Sequence, residues 1–283
     1  MAIPQAGLRY AMGINMKRKM NHNLWMGCSL CFMILGFMIY SYICSEVSVN
    51  QMQVGIRFLG PSPQHLFGTD NFGRDILVRI VSAIWKTLNV AVLTVVIGAC
   101  VGFILGAIAG WFGGFVDEII MRGCDIITAF PWLLLALVII TALGTSNRNI
   151  VIALGSVFIP SYTRVNRSCY MRLKNAEYVN SARMAGAGTI RILIVHILPN
   201  ISTELLSQIT VGFANAILSE AALSFLGLGI QPPDPSLGRM LSEAQEYLFK
   251  APWMAIMPGL TIIVIVLAFN YLGEGLKQKY QSL

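Results

Sequence analysis

Four stretches of this chain, 24–44, 88–110, 126–144 and 253–273, run for 21, 23, 19 and 21 residues without a charged side chain. At about 1.5 Å per helical residue, each is long enough to cross the roughly 30 Å hydrocarbon core of a bilayer. Only a helix or a closed barrel satisfies its own backbone in lipid, and barrel strands alternate apolar and polar side chains over about ten residues. Unbroken runs twice that length therefore predict an all-α polytopic membrane protein. Two weaker runs, 150–163 with Pro160 near its end and 201–218 with Glu204 inside, bring the expected number of spans to six. With 56% hydrophobic and only 12% charged residues, against about 25% charged in soluble domains, a soluble enzyme, a disordered chain and a fibre are excluded.

The charge pattern gives the expected topology. Of the 20 Lys and Arg, 13 fall on segments that lie on one side if the N-terminus is inside: before 24, between the second and third runs, between the fourth and fifth, and after the last. By the positive-inside rule both termini are expected in the cytoplasm. The net charge of +7 is then topological, and no nucleic-acid partner is expected. Residues 1–23 read as a cytoplasmic segment, with Met16 or Met20 as possible alternative starts, and 24–283 as the membrane domain with its core at 88–275. The first run is too long for a signal peptide and lacks a small-residue cleavage site.

Several motifs carry little chemistry. Cys28 and Cys31 spell C-x-x-C without a second pair, and His22, His65 and His196 are dispersed, so no metal site is expected. No G-x-x-x-x-G-K-[ST] phosphate loop is present and no catalytic residue stands out. Gly98, Gly102, Gly106 and Gly110 form a stripe at a spacing of four, which suits close helix packing either within the chain or against another subunit. Glu204 and Glu220 flank the fifth span; solvation at its ends is the favoured reading, and a partner or water-filled path facing them is the alternative. In the outer segment 45–86, Thr69 or Asp70 is expected to cap a helix running from Asn71 into the second span, with Asp75 and Arg79 as an i,i+4 pair.

The longest inner segment, 164–199, is expected to form a helix over 171–185, a turn at Gly186 and Gly188, and a second helix from Thr189. Its centre resembles the EAA loop of the membrane subunits of ATP-binding cassette importers. Asn180, Ser181, Ala182, Gly186, His196, Leu198 and Pro199 stand at that pattern's spacing, with Ala182, Gly186, Leu198 and Pro199 matching its letters. The run His65 to Asp70 followed by Gly73-Arg74-Asp75, and the run Ala221 to Gly229 continuing through Gln231-Pro232-Pro233, resemble segments of the second permease of the dipeptide, oligopeptide and nickel branch.

The resemblance implies a type I importer permease fold in the cytoplasmic membrane of a bacterium or archaeon. It also implies a chain that is not itself an enzyme and binds no cofactor. Its partners would be a second permease, two ATPase subunits that hold ATP and Mg²⁺, and an extracytoplasmic solute-binding protein. The cargo would be short peptides, or alternatively nickel. The same resemblance assigns ATPase coupling to Glu177, Tyr178, Ser181, Ala182, Gly186, Ala187, Leu198 and Pro199. Thr69, Asp70, Arg74 and Asp75 are candidates for docking the binding protein.

Overall fold

The longest element is a 37-residue helix, α2 (Ile76–Phe112), about 55 Å from end to end. The computed structural model describes residues 22–36, 38, 39 and 49–281, the side chains of 279–281 excepted. The expectations for the N-terminal segment 1–21 and for the end of the first apolar run lie outside these residues. Before α2 stands α1 (His22–Gly36). After it come α3 (Gly114–Thr128), α4 (Trp132–Leu143), α5 (Asn147–Leu173), α6 (Glu177–Met184), the single turn α7 (Thr189–Arg191), α8 (Leu198–Phe225), α9 (Leu237–Ala244) and α10 (Trp253–Gln281). Among the described residues no β-strand forms, so the architecture is all-helical as expected.

Among the described residues three helices are long and apolar enough to cross a membrane: α2, α7 with α8 as one rod Thr189–Phe225, and α10. The expected third span is a pair of helices, since α3 and α4 meet at 86°. Pro131 has no N–H to give and disfavours helical geometry at Phe130, and the chain turns there. The charged residues Asp117, Glu118, Arg122 and Asp125 lie on α3, leaving α4 wholly apolar. The fourth span is longer than its apolar run: α5 continues through Pro160 for 27 residues, long enough to span although its composition is more polar. Of the six expected spans, then, three are unbroken and apolar, one is bent and one is long but polar, and the described part of the first includes the apolar helix α1.

The glycine stripe settles which helices pair most closely. A Cβ on Gly98 would meet Phe158 and Tyr162, one on Gly102 would meet Tyr162 and the Ile159 carbonyl, and one on Gly106 or Gly110 would meet the Thr163 or Arg167 carbonyl. The stripe therefore packs against α5 of the same chain. The Asn166 carboxamide donates to the Phe103 carbonyl across this seam. A larger core joins Ile76, Ile80 and Ile84 of α2 to Ile217 of α8, Leu237 and Met240 of α9 and Met254 and Ile265 of α10, with Ile34 of α1 packed against it.

Replacing Gly106 with Leu drives a side chain into the α5 backbone, whereas at Gly123 no heavy atom lies within 4 Å of the new Cβ. Overpacking of this kind costs about 1–3 kcal/mol. Gly106→Leu is expected to lower the thermal unfolding midpoint in detergent by roughly 3–10 °C, and Gly123→Leu to leave it unchanged or raise it.

Candidate coupling site

At one end of α2 the chain leaves the helical bundle and returns through α6. The break after α5 lies at residues 174–176, so α6 starts at Glu177 rather than continuing from 171. Glu177 stands in the first turn and Arg183 in the last, which suits the helix dipole. The helix ends on Gly186, whose φ of 83° is open to glycine but strained for other residues. There the Ala187 N–H donates to the Ala182 carbonyl and the Gly186 N–H to the Arg183 carbonyl, both at 3.0 Å. This is the six-to-one and five-to-two pairing of a Schellman motif, which satisfies the last carbonyls of so short a helix.

One face of α6 is anchored. Val179 is fully buried in a cluster with Cys169 and Tyr170 of α5, Ile192 and Ile197 ahead of α8, and Ile201 and Leu205 of α8, and the half-buried Ala182 and Ala187 pack against its edge. The Arg183 guanidinium lies 5.2 Å from the centre of the Trp111 ring, at the end of α2. Three long helices thus hold one short one. The opposite face is open: Glu177, Tyr178, Ser181 and Met184 are exposed, Met184 at 89%, and Ile190 beyond the turn is exposed as well.

The structure groups Glu177, Tyr178, Ser181, Ala182, Gly186 and Ala187 on or beside α6. Leu198 and Pro199 open α8 on the far side of Ile192–Ile197, are exposed, and do not join the buried cluster. Ile192–Ile197 winds as a π-helix, and the Tyr170 hydroxyl donates to the Leu193 carbonyl at 3.2 Å, tying it to α5. Near this end α3 is tied to α5 by Arg167 on Asp117 and by Arg164 on Asp125 and Thr128, both contacts of Arg164 at 2.9 Å. The sequence reading missed Val179, Arg183 with Trp111, and Met184. Val179 was readable as the apolar residue between polar neighbours on an eight-residue helix; the Trp111 contact joins positions 72 apart in sequence and had no local signal.

At the other end of α2, the four docking candidates turn inward. Thr69 is fully buried, its Oγ1 accepting from the Leu59 N–H at 2.9 Å and its carbonyl accepting from the Trp253 indole at 3.2 Å. Asp70 accepts from the Phe72 and Arg74 backbone N–H groups and from Arg74 Nε at 2.6 Å. The helix cap is Asp75, which accepts from the Val78 N–H at 3.1 Å, so α2 begins at Ile76 and not at Asn71. Asp75 faces His65 Nδ1 at 2.8 Å instead of Arg79, because Arg79 lies at 3.8 Å from both Asp70 and Glu243. These residues fasten segment 49–75 to α9 and α10.

Both carboxyl groups on α8 are paired. Glu204 is half-exposed and accepts from Arg172 at 2.7 Å. Glu220, expected to be solvated, is instead fully buried, accepting from Thr87 Oγ1 at 2.8 Å and Ser224 Oγ at 2.6 Å, while Ser224 Oγ accepts from the Ile230 N–H. The reason is the position of Glu220 on the α8 face that packs against α2, which brings Thr87 to it.

Residues 102–282 match the family model described as "Binding-protein-dependent transport system inner membrane component". The chain is similar to the dipeptide transport system permease protein DppC of Haemophilus influenzae, 44% identical over 77% of this chain and 74% of that one. It is likewise similar to the di/tripeptide transport system permease protein DppC of Pseudomonas aeruginosa, 44% identical over 77% and 72%, and to the glutathione transport system permease protein GsiD of Escherichia coli, 43% identical over the same shares. Among solved structures, the MetNI methionine ABC transporter in an inward-facing form matches with a TM-score of 0.58 at 15% identity, over 71% of this chain and 95% of that one. An amino acid ABC transporter matches at 0.52 and 19%, over 69% and 90%. The fold is that of a type I importer permease.

Burying an unpaired carboxylate at Val179 removes the anchor of α6 at a cost of several kcal/mol. In native membranes, Val179→Asp is expected to raise tryptic cleavage at Arg183 and Arg191 about tenfold or more, as the loop opens more often. Tyr178→Asp on the exposed face should leave cleavage unchanged.

Proposed function

This chain belongs to the family of binding-protein-dependent transport system inner membrane components, and from that premise we propose that it passes short peptides across the membrane and takes its driving motion through α6. The carrying observation is the construction of α6: a short helix whose inner face is plugged by Val179 and whose outer face offers Tyr178 and Met184 to a partner, with Ile190 of α7 exposed beyond the turn. Exposed apolar side chains around a polar helix mark an interaction surface. The partner is an ATPase subunit that binds and hydrolyses ATP with Mg²⁺, two such subunits serving this chain and a second permease. This chain contributes no nucleotide site.

Push on α6 reaches α5 through the link at 174–176, α8 through Ile201 and Leu205, and α2 through Trp111. ATP shifts the permease between its two conformations only by its differential affinity for them. A loosened α6 therefore wastes hydrolysis without moving cargo. The end bearing α6 and both termini face the cytoplasm in this reading, and segment 49–75 with 226–251 faces the binding protein. Thr69, Asp70, Arg74 and Asp75 then shape the docking surface from beneath rather than touching the partner. The relatives named for dipeptides, di/tripeptides and glutathione favour peptides over nickel as cargo.

Met184→Glu alters the exposed outer face of α6, and Ala182→Arg its half-buried edge, where a long side chain can reach solvent. Each is expected to leave expression and the unfolding midpoint unchanged, to reduce copurification of the ATPase subunits, and to cut ATP-dependent uptake of a labelled dipeptide by about tenfold or more. Normal uptake by a well-expressed Ala182→Arg chain would sink the assignment of α6. Restored uptake of labelled nickel but not dipeptide, in cells lacking the gene and then given it back, would overturn the cargo.

A further inference from the structure

The faces that this chain exposes at membrane depth differ in chemistry. On α2 the exposed residues include Leu93, Val96, Val101 and Ile104, and on α10 Ile256, Leu260, Ile263 and Leu267, all suited to lipid tails or an apolar partner. Along α8, Glu204, Gln208, Val211, Asn215 and Leu218 recur at intervals of three and four, and so share one side of the helix. None of the five is buried, and Asn215 is exposed. Ser161 and Arg172 of α5 lie beside this stripe, Gln208 Nε2 donating to Ser161 Oγ at 2.9 Å and Arg172 to Glu204 at 2.7 Å. Further along, the Asn215 carboxamide has no hydrogen-bond partner among the described residues.

Lipid does not tolerate such a face. An unpaired carboxamide in hydrocarbon costs several kcal/mol, and polar side chains within spans face the bundle interior or a water-filled cavity. The seam also runs out at the α6 end into the charged Arg172–Glu204 pair, which needs water. We propose that the α5–α8 seam is this subunit's wall of the translocation pathway, and that Gln208 and Asn215 hydrogen-bond the main chain of the passing peptide; this rests on the reading of the chain as a peptide permease.

The chemistry fits a cargo of varied side chains. A carboxamide offers both an N–H donor and a carbonyl acceptor, the complement of a main-chain amide, and asks nothing of the side chain. Seven residues separate Gln208 from Asn215, about 10 Å along the helix, which is the length of roughly three extended residues. Val211 and Leu218 alternate with the amides and give side chains an apolar surface to slide past.

The test uses the complete transporter, with partner permease, ATPases and binding protein, in proteoliposomes. The chain has its six cysteines replaced by alanine and carries either Asn215→Cys or, on the apolar face of α10, Ile263→Cys. A charged methanethiosulfonate should label Asn215→Cys at least about tenfold faster than Ile263→Cys, a tripeptide should slow that labelling, and labelling should stop tripeptide uptake. Equal, slow labelling of the two would overturn the proposal and leave this face to lipid or to the partner permease. In the otherwise native chain, Asn215→Leu should cut tripeptide uptake up to about tenfold, the worth of one hydrogen bond, with binding-protein-stimulated ATP hydrolysis retained and Asn215→Gln partly restoring uptake. Undiminished uptake by Asn215→Leu would overturn the amide's role. Failure of the unsubstituted transporter to take up any peptide would instead overturn the cargo, while the labelling comparison would still decide whether the seam lines a water-filled path.

Discussion

The backbone-to-backbone contact of α2 with α5 is the interaction on which the other parts depend. Lipid tails are as apolar as leucine, so no hydrophobic force draws two spans together, and dispersion and weak hydrogen bonds must do it at short range. Gly98, Gly102, Gly106 and Gly110 remove every Cβ from the meeting line, and carbonyls of α5 occupy the space. The Asn166 carboxamide on the Phe103 carbonyl adds a polar bond that lipid cannot compete for. The result is a two-helix mast about 40 Å long, the length of α5, which α2 overruns. Because α5 leads into α6 and Trp111 near the end of α2 meets Arg183 of α6, the mast also fixes where α6 sits.

Eight residues are too few for a helix to hold itself in water, so α6 takes its stability from its docking. Val179 supplies the apolar anchor, Arg183 on Trp111 supplies a cation–π contact to a different helix, and Gly186 closes the end with the Ala182 and Arg183 carbonyls paired. These three features hold α6 against the spans around it. The π turn at Ile192–Ile197 sits between this helix and α8. Its wider winding marks the place where the rod from α7 into α8 departs from regular geometry, and such turns recur at functional sites.

Legibility from sequence followed the range of the responsible interaction. Apolar runs, the helix–turn–helix around Gly186 and the packing use of the glycine stripe are local or periodic, and were visible in the order of residues. The bend at Ala129–Pro131 was missed because hydropathy averages across a proline, and an apolar run looks the same straight or folded at 86°. The capping of α2 was misplaced by a few residues because Thr69, Asp70 and Asp75 are all good caps. What selects Asp75 is the burial of the other two beneath α10 and segment 49–59. Glu220 was misread for a like reason: the residue is near the end of its helix, but Thr87, 133 positions away, covers it.

That covering has a mechanical consequence. Glu220 on α8 joins Thr87 on α2 to Ser224, and Ser224 holds the Ile230 N–H in the turn after α8. A hydrogen-bonded carboxyl is tolerated in an apolar surrounding, whereas leaving any of these groups unpaired costs about 1–3 kcal/mol, so separating the four is disfavoured. On the α2 side, Arg74 and Arg79 between Asp70 and Glu243 likewise clasp the entry segment to α9. The end of the molecule away from α6 is therefore fastened by buried polar bonds with defined partners, and the α6 end by an apolar anchor beneath an open face. Polar clasps specify one arrangement of segments 49–75 and 226–251 relative to the spans. Any tilt of α2 against α8 is consequently carried into the surface those segments form.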